Sequence, residues 1–176
     1  MQQPAAPIDP QQANQLLAVA NLVRRVKIGG NNFYWIAGLS VVNSLITAFG
    51  GGITFVIGLG ITQVIDAFAL IFSQEAPDGA LIFKGIGVVL SIVISAIFAI
   101  FGFFACKAQR WAFITGMVLY GLDSLLILFF KDWIGFLFHL YFLWGLWNGL
   151  QALNQLQKLL PASGTTAEFP QDIGTR

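Results

Sequence analysis

Hydrophobic and polar positions along the 176-residue chain fall into long blocks rather than short alternations. No charged residue occurs at 28–65, 85–106 or 133–157, runs of 38, 22 and 25 positions, and 111–130 holds only Asp123. A helix needs about 20 apolar residues to cross roughly 30 Å of hydrocarbon. The last three blocks therefore predict one spanning helix each, at about 82–105, 111–130 and 133–155. The first block is too long for one crossing, since as a helix it would reach roughly 57 Å. Gly50-Gly51-Gly52 interrupts it, and a glycine run permits a sharp reversal. The block divides into a span at 33–49, a glycine turn, and a second apolar segment at 53–72.

The ends follow other patterns. Residues 1–9 are rich in Gln, Pro and Ala and predict a flexible N-terminus without a signal peptide. Asp9-Pro10 reads as an N-cap followed by Pro at the first helical position. Leu16, Leu17, Val19, Ala20, Leu22, Val23 and Val26 then alternate with Gln, Asn and Arg. This predicts an amphipathic interfacial helix at 10–30, with its helical part ending before Gly29-Gly30. Its basic end, Arg24, Arg25 and Lys27, suits an anionic leaflet. Residues 161–176 lack apolar periodicity and predict a disordered tail.

Composition places these elements in lipid. The chain is 57% hydrophobic and 10% charged, with a mean hydropathy of +0.77. An average soluble domain has about 25% charged residues, and a small one cannot hide so much apolar surface. A net charge of +1 leaves no basic face for nucleic acid. One Cys cannot form an internal disulfide.

Topology follows from Lys and Arg, which gather on the cytoplasmic side. If 53–72 does not cross, Arg24, Arg25, Lys27, Lys107, Arg110, Lys158 and Arg176 share one side, and Lys84 and Lys131 lie opposite, a 7:2 split. If it crosses, the split is 5:4. The first arrangement accords better with the rule. The expected fold is an all-α integral membrane protein: a single transmembrane domain at 31–160, with a bundle of four transmembrane helices. An N-terminal amphipathic helix and one re-entrant or interfacial segment at 53–72 complete it, with five spans as the alternative. The expected location is the cytoplasmic membrane, multi-pass, with both termini cytoplasmic.

Two kinds of feature carry candidate function. Small residues recur every four positions at Gly87, Ser91, Ser95 and Ala99, and again at Gly145 and Gly149. Small rows let helices approach closely in lipid, either within the bundle or toward an oligomeric partner. The second kind is ionisable groups at membrane depth, which are costly and usually face the bundle interior. Asp123 lies eight residues before Lys131, and His139 lies seven after Asp132. An antiparallel hairpin would place them at nearly one depth, as a structural hydrogen-bonded pair or a proton or ion site. Asp66 and Lys84 flank the loop at 73–79 and could pair in the same way. Cys106 lies beside Lys107 at a span end, where acylation or plain burial are the two readings.

No enzyme signature occurs, and one His excludes a metal site of several imidazoles. Neither a cofactor nor a metal is expected. Ser124, His139 and Asp123 exist as a composition, but adjacent Ser124 and Asp123 point about 100° apart on a helix. The leading functional reading is a non-enzymatic membrane protein acting by helix packing in a homo-oligomer or larger membrane complex, with the lipid bilayer as its medium. The alternative is a small transporter or channel component with a polar path near Asp66, Asp123 and His139. An intramembrane enzyme stands third.

Overall fold

The computed structural model describes residues 9–50 and 58–159. Five α-helices run in chain order: α1 Pro10–Ala48, α2 Gly60–Glu75, α3 Ala80–Cys106, α4 Arg110–Phe129 and α5 Trp133–Leu159, with a 3₁₀ turn at Pro77–Gly79 between α2 and α3. No strand occurs among the described residues. Asp9 caps α1 as its sequence suggests, its side chain accepting from the Gln11 amide at 3.1 Å, with Pro10 at the first helical position.

Packing contacts give the directions. Gly30 lies against Cys106 and Phe33 against Gly102, so α1 and α3 are antiparallel. Gly29 lies against Gly149 and Asn32 against Gly145, so α1 and α5 are antiparallel too. Phe98 meets Tyr120, and Tyr120 meets Phe142, which sets α4 antiparallel to α3 and to α5. The four long helices thus run up, down, up and down. Ala48, Lys131 and the α2–α3 turn share a far end, while Pro10, Lys107 and Leu159 share a near end.

The second α-helix is the shortest of the five. Its 16 residues reach about 24 Å. Its first residues meet Asp123 and Ile127 in α4 and Ser40 in α1, well inside the bundle. Ser44 then faces Asp66, and Ala69 faces Gly87. Hence α2 runs parallel to α1 and antiparallel to α3, from mid-depth out to the far end. The expected turn at Gly51-Gly52 and the first residues of the segment expected at 53–72 lie outside the described residues. Gly58, at the entrance to α2, has φ +157, and a Cβ there would lie 3.2 Å from the Asn43 side chain. Only glycine combines that backbone with that closeness.

The expected end of a first helix at Gly29-Gly30 is not found: α1 is one helix of 39 residues. Both glycines serve packing instead. A methyl built on Gly29 would stand 2.5 Å from the Cα of Gly149, and Gly30 abuts the Cys106 backbone. The close contacts these allow offset the roughly 1 kcal/mol that an interior glycine costs a helix. The flexible N-terminus and the tail at 161–176 lie outside the described residues, Asp9 excepted.

The core is aromatic at its centre. Phe33 stands 6.4, 6.1 and 6.3 Å from Phe98, Phe101 and Phe113, which joins α1, α3 and α4. Toward the near end, buried Leu22, Val26, Leu150, Leu153 and Leu156 extend it between α1 and α5. Two tight turns close the bundle. Ala108 (φ 59) and Lys131 (φ 60) take left-handed conformations after α3 and α4. In each turn a later amide reaches back five residues, Gln109 to Phe104 and Asp132 to Ile127, as in a Schellman cap. Asp132 then caps α5 through the Gly135 amide at 2.9 Å.

Candidate functional site

Polar side chains in an apolar bundle must find partners inside it, because an unpaired buried group costs free energy. Here they gather around α2. The α4–α5 turn and the antiparallel pairing bring Asp123 and His139 together: His139 Nε2 lies 3.0 Å from Asp123 Oδ2. His139 is fully buried. Its Nδ1 lies 2.8 Å from the Gly135 carbonyl one turn back. The ring of Tyr120 stacks on the imidazole with centroids 4.6 Å apart and planes at 16°.

Asp123 also does something that its sequence does not announce. The Gly60 amide donates to its Oδ2 at 2.7 Å, and the Ile61 amide donates to its Oδ1 at 2.8 Å. These are among the first amides of α2, which have no carbonyl partner inside their own helix. A carboxylate at a helix N-terminus also meets the positive end of the helix dipole. Asp123, carried on α4, therefore caps α2 from outside. The preceding Leu59 amide is held by Ser40 Oγ at 2.7 Å, and Thr62 Oγ1 donates to the Leu59 carbonyl at 2.8 Å.

Asp66 lies further along α2. Ser44 Oγ donates to it at 2.6 Å and Ser91 Oγ at 3.1 Å. The expected Asp66–Lys84 ion pair does not form among the described residues. The α2–α3 register explains this: Gly87 faces Ala69 and Ser91 faces Asp66, which leaves Lys84 beyond Asp66 toward the far end. Lys84 and Asp66 do line one narrow cavity, together with Ser44, Thr47 and Val88.

The small-residue row is used inside the chain. Gly87, Ser91 and Ser95 are buried and Ala99 is packed against the core. Gly87 receives Ala69 and Ser91 binds Asp66, so α2 covers the far half of the row. Gly145 and Gly149 are likewise filled by Asn32 and Gly29 of α1. Cys106 is half-buried between α1 and α3, with its Sγ 3.4 Å from Asn31 Oδ1. Ser124 Oγ donates to the Gly121 carbonyl of its own helix at 2.6 Å, not to His139. Among the described residues no group of three or more His, Cys, Asp or Glu could hold a metal ion.

Three buried polar atoms have no hydrogen-bond partner among the described residues: Gln63 Nε2, Ser95 Oγ and Tyr120 Oη. By register they stand around the first turns of α2. Beside Asp123 an apolar groove of about 390 Å³ opens between α3 and α4, with Ile61, Ile94, Leu119 and Leu122 in its walls.

Sequence reasoning missed Ser40, Ser44 and Tyr120 as members of this site. The signal for the first two was present: Ser40, Asn43 and Ser44 lie at i, i+3 and i+4, one polar face on an apolar span. Tyr120 lies one turn before Asp123 on the same face. Compared with known proteins, the chain matches no family model, no curated protein and no solved structure.

Proposed function

We propose that this chain is a four-span integral membrane protein with one re-entrant half-helix, and that it works as a small transporter or channel component for protons or small cations. Two helical stretches, Pro77–Cys106 and Arg110–Phe129, are long and apolar enough to cross a membrane. In this reading α5 and residues 33–48 of α1 cross beside them. Large apolar side chains cover their outward faces, among them Val89, Val93, Ile100, Val118, Leu122, Leu125, Leu137 and Leu140. Patches of that size call for lipid or a partner. Arg24, Arg25, Lys27, Lys107, Arg110 and Lys158 all belong to the near end, while Lys84 and Lys131 belong to the far end. By the positive-inside rule the near end, with both chain termini, is cytoplasmic.

The observation that carries the functional reading is the fastening of the α2 N-terminus, at mid-depth, by Asp123 and His139. Broken helices with termini at the membrane midplane are a recurring transporter device, because their ends present unpaired backbone groups to a site. From there polar groups continue through Thr62, Ser91 and Asp66 to the cavity beside Lys84 at the far end. Toward the near end the path meets the Phe33, Phe98, Phe101 and Phe113 cluster. This is a half-path from the outer side, closed by an aromatic plug. The assembly reading drew on Gly87–Ala99 and Gly145–Gly149, whose surfaces are filled within the chain. An oligomer would have to use another face.

The test is flux. Purified protein in liposomes loaded with a pH-sensitive or cation-sensitive dye should pass protons or an alkali cation faster than empty liposomes. Asp123→Asn and Asp66→Asn should lose that flux while eluting as the same monodisperse species. Wild-type protein with no flux of protons, Na⁺ or K⁺ above empty liposomes overturns the proposal.

A further inference from the structure

We propose that Asp123 and His139 form a one-proton latch on α2, which holds the first turn of the half-helix and releases it when a second proton arrives. Its use as a gate rests on the transport reading above, while the latch itself rests on hydrogen-bond geometry.

The proton count follows from the partners. The Gly135 carbonyl can only accept, so His139 Nδ1 carries a hydrogen. Nε2 faces Asp123 Oδ2 at 3.0 Å, and a contact between these atoms needs one proton between them. That proton belongs to an imidazolium beside a carboxylate or to a carboxylic acid beside an imidazole. Both arrangements carry no net charge, which suits a buried place. The Tyr120 ring, stacked on the imidazole, keeps it from turning away. In this one-proton state Gly60, Ile61 and His139 are all bonded to Asp123.

Either change of proton number spoils the set, but in different ways. Removing the proton puts the Nε2 lone pair against the carboxylate and leaves a buried negative charge, yet both α2 amides keep their acceptors. Adding a proton gives an imidazolium beside a carboxylic acid. The new O–H takes the one lone-pair site of Asp123 left open, on Oδ1, and turns the carboxylate oxygen that holds the Ile61 amide into a hydroxyl, a much weaker acceptor. The imidazole is fixed from its other side by Gly135, so the contact that yields is with α2.

Other titratable groups near the latch are few. At this depth α1 presents Ser40 and Asn43, and α3 presents Ser91 and Ser95, none of which changes charge. Tyr120 comes from α4. Asp66 lies about two turns along α2, bound by Ser44 and Ser91, and Lys84 lies beyond it. Asp132 caps Gly135, one turn from His139.

The experiment is amide hydrogen exchange by mass spectrometry on the full chain in lipid nanodiscs. It is stepped from about pH 8 to about pH 3.5, which adds protons to free imidazole and carboxyl groups alike. Rates are corrected for the chemical pH dependence of exchange. The first turn of α2 should exchange about tenfold faster at the acid end, the size expected for a lost bond to a charged group. Amides in the middle of α1 and α5 should not change. Asp123→Asn should remove the acid step, and Asp66→Asn should keep it. Wild-type α2 with equal protection at both ends of the series overturns the latch, as does simultaneous loss of protection in every helix. If Asp123→Asn does not fold, the wild-type series still decides. Acid release of α2 without any flux removes the transport reading and keeps the latch. Flux with a pH-independent α2 does the reverse.

Discussion

At the scale of single residues, Asp123→Asn leaves one carbonyl oxygen where two carboxylate oxygens now meet Gly60, Ile61 and His139. One amide of α2 then loses its acceptor. The expected cost is about 1–3 kcal/mol, more than the average of about 0.6 kcal/mol for a hydrogen bond between membrane helices. Thermal unfolding in mild detergent measures it. Tyr120→Phe tests the opposite case, since its hydroxyl is buried without a hydrogen-bond partner among the described residues. Removing it should be neutral or stabilising by up to about 1 kcal/mol, and a loss above that would mean the hydroxyl has a partner in the membrane. The pairing of Asp123 with His139 was legible in the sequence because both lie at fixed distances from one turn. The capping of α2 was not. Backbone amides leave no mark in a sequence, and Gly60 reads there only as a flexible position.

At the scale of elements, the charge-free blocks placed α3, α4 and α5 to within a few residues, since each of those blocks ends where a charge must meet water, but they missed the start of α1 by more than twenty residues and that of α2 by seven. The error at Gly29-Gly30 has a physical cause. A glycine that ends a helix and a glycine that admits a neighbouring backbone look alike until the neighbour is known, and Gly149 lies four helices away in chain order. Asp66 and Lys84 do not pair for a similar reason, because loop-counting assumes a symmetric hairpin, and here the residue facing Asp66 is Ser91, about two helical turns beyond Lys84. Two element-level outcomes follow. Gly87→Leu should drive Ala69 and α2 off α3 and lower stability by about 1–3 kcal/mol, seen as a lower melting temperature. Ala108→Gly should raise it slightly, because a left-handed alanine costs roughly 1 kcal/mol that glycine does not.

At the scale of the whole molecule, the alternating helix directions place six cationic residues at one end and two at the other. If that end is cytoplasmic, a cysteine placed at Asp78 in a Cys106→Ser background should react with an impermeant thiol reagent added to intact cells. One placed at Gln109 should react only after lysis. The reverse pattern would invert the orientation, and labelling of both from outside would remove the four-span arrangement. The all-helical class could be read from the long charge-free blocks, whose length suits helices. The site could be read only in part, because it is built from contacts between α1, α2, α4 and α5 whose registers no local pattern records.

The unbroken run of α1 makes it a lever. Its middle is clamped at Phe33, its far arm carries Ser40 and Ser44 against α2, and its near arm continues to Pro10. Back from Leu22, where burial against α5 ends, to Pro10 the near arm is about 18 Å long, so a tilt of about 10° swings its tip through about 3 Å. A helix broken at Gly29-Gly30 would absorb such a tilt at the joint. A continuous one delivers it to the opposite end of the bundle, so a movement of α2 against Ser40 and Ser44 would be felt, as displacement, at the first turn of α1.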